Sequence, residues 1–188
     1  MNTIVPQPGD IPSVRKVRAA TPDDAALIAA VAAETFPLAC PPHTTPAAIA
    51  QFIAKNLSVT SFEGYLADPD RALFVAELGT EPAGYTMVVF GDPHDPDVAA
   101  AVTARPTAEL SKMYVREGFH GGGVAAHLIA ASVAAARDRG SVTVWLGVNQ
   151  ENARANRFYE KQGFALVGTK RFLVGDRYEN DFVRELAL

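Results

Sequence analysis

Residues 107–139 limit the fold more than any other stretch. A strand-like run, "TAELSKMYV", leads into three consecutive glycines and then an alanine-rich amphipathic segment. A strand that feeds a helix through Gly121, Gly122 and Gly123 belongs to an α/β arrangement. It also leaves the first N–H groups of the helix without intrahelical acceptors, at the positive end of the helix dipole. Glycine there lets backbone approach an anion with no Cβ in the way. The bare alternative is a tight turn with no ligand.

The flanking chain extends this pattern. "SVRKVRAA" (13–20) reads as a strand after a Pro-rich arm over residues 1–13. "TPDDAALIAAVAAETF" (21–36) opens a helix, with Thr21 as cap, Pro22 at its first position and acidic residues in its first turn; "PLACPPH" (37–43) is expected to break it. Helices follow over 45–57 and 61–69. A hairpin spans 71–78 and 82–90, and an irregular connection with room for a helical turn fills 91–106. The predicted elements continue as a strand (107–115), a helix (122–139), a strand (141–148) with a bulge at Gly147, a helix (152–163) and an antiparallel pair (164–174, 178–188). The 188 residues suit one α/β domain with a mixed sheet, residues 1–188.

Bulk chemistry removes several partners. Net charge is −4, from 17 Lys+Arg against 21 Asp+Glu, so no basic field draws the chain to nucleic acid or an anionic membrane. A single cysteine, Cys40, allows no internal disulfide. With no signal-peptide pattern and no apolar run of membrane length, the expected compartment is the cytoplasm.

The glycine turn can be tested against known phosphate motifs. A P-loop needs Gly-Lys-Ser/Thr, and Gly123 is followed by Val124 and Ala125. The dinucleotide pattern is approached only through Gly121, Gly123 and Ala126, and the next strand ends in Asn149 rather than an acid. A third pattern fits better. "HGGGVA" (120–125) after Val115 resembles the acetyl-CoA signature of the GNAT superfamily of N-acetyltransferases, with His120 where Gln or Arg is usual. "NARANRFYEKQGF" (152–164) is similar to that family's second motif through Asn152, Tyr159, Gly163 and Phe164. "ELSKMYVREGFHGGGV", "VWLGVNQEN" and the C-terminal "FLVGDRYENDFVRELAL" further resemble the bacterial polyamine (spermidine/spermine) acetyltransferase type.

The resemblance carries expectations. It implies a mixed, mostly antiparallel sheet of six to seven strands flanked by helices, with a splayed parallel pair that holds acetyl-CoA as cosubstrate. The backbone of Met113, Tyr114 and Val115 would take the pantetheine arm, with the Val115 N–H polarising the acetyl carbonyl. The loop from His120 and Gly121 through Gly122, Gly123, Val124 and Ala125 to Ala126 would take the pyrophosphate. Asn152 would bind the arm or a water, or simply cap its helix.

Tyr159 is the candidate general acid, seven residues after Asn152 and so on the same helix face. The resemblance implies that its hydroxyl meets the CoA sulfur, and a hydrogen bond to the developing thiolate would describe that role, because a thiol near 8.5 lies below tyrosine near 10. Glu109 is the candidate base, with Glu34 and Glu117 behind it. An alkylamine with a pKa of about 10.4 is neutral in roughly one molecule per few thousand at pH 7, so its proton must be removed.

The expected acceptor is a small primary amine of polyamine-like character. A protein or peptide amine, or acyl-CoA binding without turnover, are the alternatives. Monomer and homodimer both stay open. "GDPHDPD" (91–97) matches no metal-ligand spacing, so no metal is expected.

Overall fold

A computed structural model describes residues 16–188; the arm over 1–13 and the start of the first predicted strand lie outside the described residues. Seven strands form one sheet: β1 (Lys16–Ala19), β2 (Arg71–Leu78), β3 (Glu81–Phe90), β4 (Thr107–Val115), β5 (Thr143–Asn149), β6 (Ala165–Val174) and β7 (Arg177–Ala187), in the order β1-β2-β3-β4-β5-β7-β6. Every pairing is antiparallel except β4 with β5. The mixed, mostly antiparallel sheet with one parallel pair is as expected.

Side chains alternate across the strands, so each face carries its own helices. On one face lie α1 (Ala25–Ala39), α2 (Pro46–Asn56), α3 (Val59–Ala67) and the short α4 (Pro96–Ala101). Ile28, Phe36 and Phe62 from these helices pack with Val75, Tyr85 and Met87 of the sheet, while Val98 packs with Trp145 and Val183. On the other face lie α5 (Val124–Asp138) and α6 (Ala153–Lys161), which pack on Ala76, Ala83, Val88, Ala108 and Leu146. Among the described residues no helix is long and apolar enough to cross a membrane.

The break expected over 37–43 falls there: α1 runs through Pro37 and ends at Ala39. Proline inside a helix costs roughly 3 kcal/mol. Opposing this, Phe36 is 4% exposed and stacks on Phe52 at a centroid separation of 4.4 Å, which holds the last turn against α2. One local expectation, the bulge, is corrected. β5 keeps an unbroken register with β7 through Gly147↔Val183, so Gly147 is not bulged. The irregularity lies in β4, where Met87 faces Lys112 and Val88 faces Leu110, so that Ser111 is the extra residue.

The start of α1 follows its sequence signals with one addition. A 3-10 turn (Pro22–Asp24) precedes it, and Asp24 Oδ2 accepts from the Thr21 N–H at 2.7 Å and from Arg18 Nη1 at 2.7 Å. The Arg18 guanidinium holds the Asp24 carboxyl well below the usual range.

Candidate functional site

The parallel pair opens into a V. β4 and β5 are in register only over Thr107↔Thr143, Ala108↔Val144 and Glu109↔Trp145. At the closed end Thr143 donates to Thr107 Oγ1 at 2.8 Å, and Thr107 donates to the Thr143 carbonyl at 3.2 Å. Beyond Glu109 the bulge at Ser111 bends β4 away, as extra residues do. Past the bulge β4 stays bonded to β3, with the Arg116 N–H donating to the Ala83 carbonyl at 2.9 Å. Antiparallel alternation then turns the peptide groups of Met113 and Val115 the other way, into the gap.

Two cavities meet at this gap. The first, about 380 Å³, lies between the last turn of α1, residues 119–126 and α6. Met113, Tyr114, Val115, His120, Gly121, Gly123, Val124, Ala125, Ala126, Asn152 and Tyr159 all line it. The second, about 330 Å³, lies on the α1–α4 face and takes Glu109 into its wall. Met113, Tyr114, Asn152 and Tyr159 border both cavities, as do Ala39 and Ala155. Of the residues expected to hold the cofactor, Gly122 borders neither.

The loop geometry explains which glycines are needed. Gly121 (φ +86°) and Gly123 (φ +78°) adopt left-handed conformations that disfavour any Cβ. Gly122 has no such φ, and a Cβ there would meet nothing nearer than the Phe119 carbonyl at 3.7 Å. Gly123 is the N-cap of α5, with no side chain capping the first turn, so the leading N–H groups of the helix have no side-chain acceptor. His120 points its Nε2 at the Val115 carbonyl, 2.9 Å away, and donates to it, which ties the loop to the end of β4.

Asn152 caps α6, its Oδ1 accepting from the Ala155 N–H at 3.0 Å. Behind it Asn156 donates to the carbonyls of Asn149 and Asn152, and buried Arg184 donates to Asn156 Oδ1 at 3.1 Å. This network seats α6, and with it Tyr159, against the end of β5. The Tyr159 ring is 8% exposed, packed edge-on against Phe158 and Phe164. Burial raises its pKa, so the hydroxyl keeps its proton as a donor.

The second cavity holds charges that alternation places on one sheet face. Burial raises the Glu109 carboxyl, against the pull of Lys170 and Lys112, and pushes Asp181 up to about 6. Burial also lowers Lys112 to about 8. Glu179 is paired with His43 at 2.8 Å. Cys40 borders this cavity too, and burial pushes its thiol up to about 11, so it stays protonated and unreactive.

Glu34 is held by Arg116 at 2.9 Å and Glu117 is exposed, and neither borders a cavity. Asp95 caps α4 and Asp92 pairs with Arg105; among the described residues no cluster of three or more His, Cys, Asp or Glu forms.

Five charged bordering residues were missed in the sequence. Arg154 lies beside Asn152 in the first cavity, and Lys112, Lys170, Glu179 and Asp181 lie in the second. A signal existed for the last two. Glu179 and Asp181 stand at alternate positions of one strand, so their two carboxylates share a face. Nothing local marks Lys170, which comes from a strand two places away from β5.

Known proteins match this architecture. Residues 33–164 match the family model described as acetyltransferase (GNAT) family. A protein of Mycobacterium tuberculosis described as an uncharacterized N-acetyltransferase is 48% identical over 165 residues, 87% of this chain and 98% of that one. Among solved structures, the paiA N-acetyltransferase of Thermoplasma acidophilum in complex with coenzyme A superposes with a TM-score of 0.72 at 16% identity, over 92% of this chain and 98% of that one. The yncA putative acetyltransferase of Salmonella typhimurium, with acetyl-CoA, gives 0.62 at 19% identity, over 92% and 93%. The match of 33–164 and the close mycobacterial relative together show that the chain belongs to the acetyltransferase (GNAT) family.

Proposed function

We propose that the protein transfers the acetyl group of acetyl-CoA to the primary amine of a small molecule by direct attack. The observation that carries this reading is the meeting of two cavities at Tyr159, one beside an uncapped helix start and one lined by titratable side chains. The first cavity suits acetyl-CoA. Its wall combines apolar surface, two left-handed glycines and the Arg154 guanidinium. The N–H groups of residues 121–126, with Arg154, would take the pyrophosphate. Val115 and Met113 would pair with the pantetheine arm through their gap-facing peptide groups, and the Val115 N–H would polarise the thioester carbonyl. Acetyl-CoA supplies an activated acyl carbon and a thiolate leaving group.

The chain's own groups do the proton work. Glu109, with its raised pKa, is better matched to receive an ammonium proton at neutral pH than an ordinary carboxylate. Tyr159, held protonated, faces the gap and would donate a hydrogen bond to the departing sulfur. The carboxylates of Glu109 and Asp181 support an acceptor that arrives as a cation. They favour the polyamine-like acceptor implied by the sequence resemblance, whereas Lys112 and Lys170 in the same wall argue against a purely cationic one.

Free CoA release with a panel of amines tests the reading, with spermidine and a peptide pool included. Acetyl-CoA at a hundredfold excess over its Kd should add about 2.7 kcal/mol of stability. No thermal shift at millimolar acetyl-CoA would overturn it.

A further inference from the structure

The wall of the second cavity is a row of charges on one sheet face. Register pairs Asn149 with Asp181, and Asp181 with Lys170, while Glu109 sits opposite Trp145 in the same face as Asn149. Glu179 is already engaged, by a hydrogen bond with His43 at 2.8 Å and an ion pair with Arg177 at 3.5 Å. That leaves two carboxylates, Glu109 and Asp181, and two ammonium groups, Lys112 and Lys170. None of these four has an ion-pair partner within 4.0 Å among the described residues.

The positions of the lysines are built. Lys170 extends from β6 across β7 and lies over Gly147 of β5, where a Cβ would overlap its Cε and stand 3.1 Å from its Nζ. Its ammonium stands 5.6 Å from the ring centroids of both Trp145 and Phe172. Lys112 follows the bulged Ser111 and holds its ammonium 5.0 Å from the Tyr65 ring centroid. Aromatic faces steady a cation without neutralising it. Both ammonium groups therefore keep their hydrogen-bond donors for a ligand. An acceptor made only of amines would meet both lysines as like charges.

We propose that the acceptor carries a carboxylate beside its primary amine, as in a free amino acid, with Lys170 and Lys112 binding the carboxylate and Glu109 and Asp181 facing the amine. The proposal rests on the acetyltransferase reading above. In the reaction the amine nitrogen forms a bond to the acetyl carbon and the carbon–sulfur bond breaks. Of the two protons the ammonium loses, one ends on the thiol of CoA and the other passes through the cavity carboxylates to water. A carboxylate rather than a phosphate is specified because Asp181 and Glu109 stand beside the lysines and would repel a second negative charge.

The test is a set of matched substrates: several free amino acids, their carboxamides and their decarboxylated amines, compared by free CoA release at saturating acetyl-CoA. Loss of a charge-assisted hydrogen bond of 1.5–3 kcal/mol predicts that kcat/KM is about 10- to 100-fold higher for the carboxylate form. Lys170→Met should lower the value for the amino acid by a similar factor while that for the carboxamide holds or rises. The substrate comparison alters no residue, so it stands even if a variant folds poorly. Equal or better turnover of the carboxamides, diamines or spermidine by the native protein would overturn the carboxylate proposal and leave the acetyltransferase reading standing. Bound acetyl-CoA, seen as a thermal shift, with no CoA release from any amine would overturn the acetyltransferase reading and this proposal with it.

Discussion

Lys170 lies over Gly147, two strands away, in the space that a side chain at 147 would fill. The contact is with the far end of a flexible chain, so Gly147→Ala should displace the ammonium rather than disrupt the sheet. The expected result is a KM for the acceptor raised about tenfold, in line with the loss of one charge-assisted hydrogen bond. The thermal midpoint should change little. A variant that unfolds, or one with an unchanged acceptor KM, would contradict the role given to this glycine.

Tyr159→Phe isolates the hydroxyl. The ring keeps its contacts with Phe158 and Phe164, so stability should hold. Removal of a positioned proton donor predicts a fall in kcat of roughly 100-fold. The apparent affinity for acetyl-CoA should stay within a few-fold. Steady-state kinetics with acetyl-CoA varied at fixed amine separates the two quantities.

The three glycines of the loop should respond unequally. Gly121→Ala and Gly123→Ala each force an L-residue into the left-handed region, at a cost of about 1–2 kcal/mol. Acetyl-CoA binding, measured calorimetrically, should weaken by about tenfold in each. Gly122→Ala meets only ordinary contact and should bind as the native protein does.

Gly84 makes a different demand. A Cβ there would stand 2.5 Å from the Tyr114 carbonyl and 3.1 Å from Val115 Cα, both backbone atoms of the strand that borders the gap. Gly84→Ala should lower stability by about 1–3 kcal/mol, as overpacking does. It should also weaken acetyl-CoA binding, because β4 must move. Unchanged denaturant midpoint and affinity would show that the strands part without cost.

Asp181 gives a pH dependence with a defined sign. Burial raises its carboxyl from an ordinary 3.8 to about 6 in the folded chain. The folded state therefore holds this proton more tightly than the unfolded state. Stability is undiminished below about pH 4, and falls as pH rises through the window to about 6, by about 3 kcal/mol. Asp181→Asn should remove this loss, raising the thermal midpoint at pH 7–8 and leaving it nearly unchanged at pH 4. Midpoints that differ equally at both pH values would contradict the assignment.

Much of this was legible because it is local. The Thr21-Pro22 helix start, the two long strands of the hairpin, and the strand–glycine–helix unit each follow from neighbours along the chain. So does the motif spacing that put Asn152 and Tyr159 on one face of one helix. What was not legible depended on distant partners. The break falls within 37–43 as its residues imply, but that α1 runs through Pro37 before ending at Ala39 rests on Phe36 stacking on Phe52 from another helix. A bulge was expected at Gly147 because a glycine in a strand is ambiguous between a bent backbone and a neighbour's need for space. Only the position of Lys170, set by strand order rather than chain order, decided for space. The splay of β4 from β5 came instead from Ser111, whose extra place in the register is invisible until β3 is laid beside it. Local backbone chemistry thus determined the elements and the glycine loop. The charge balance of the second cavity was decided by tertiary structure, because it sums side chains from three strands that meet only when the sheet is assembled.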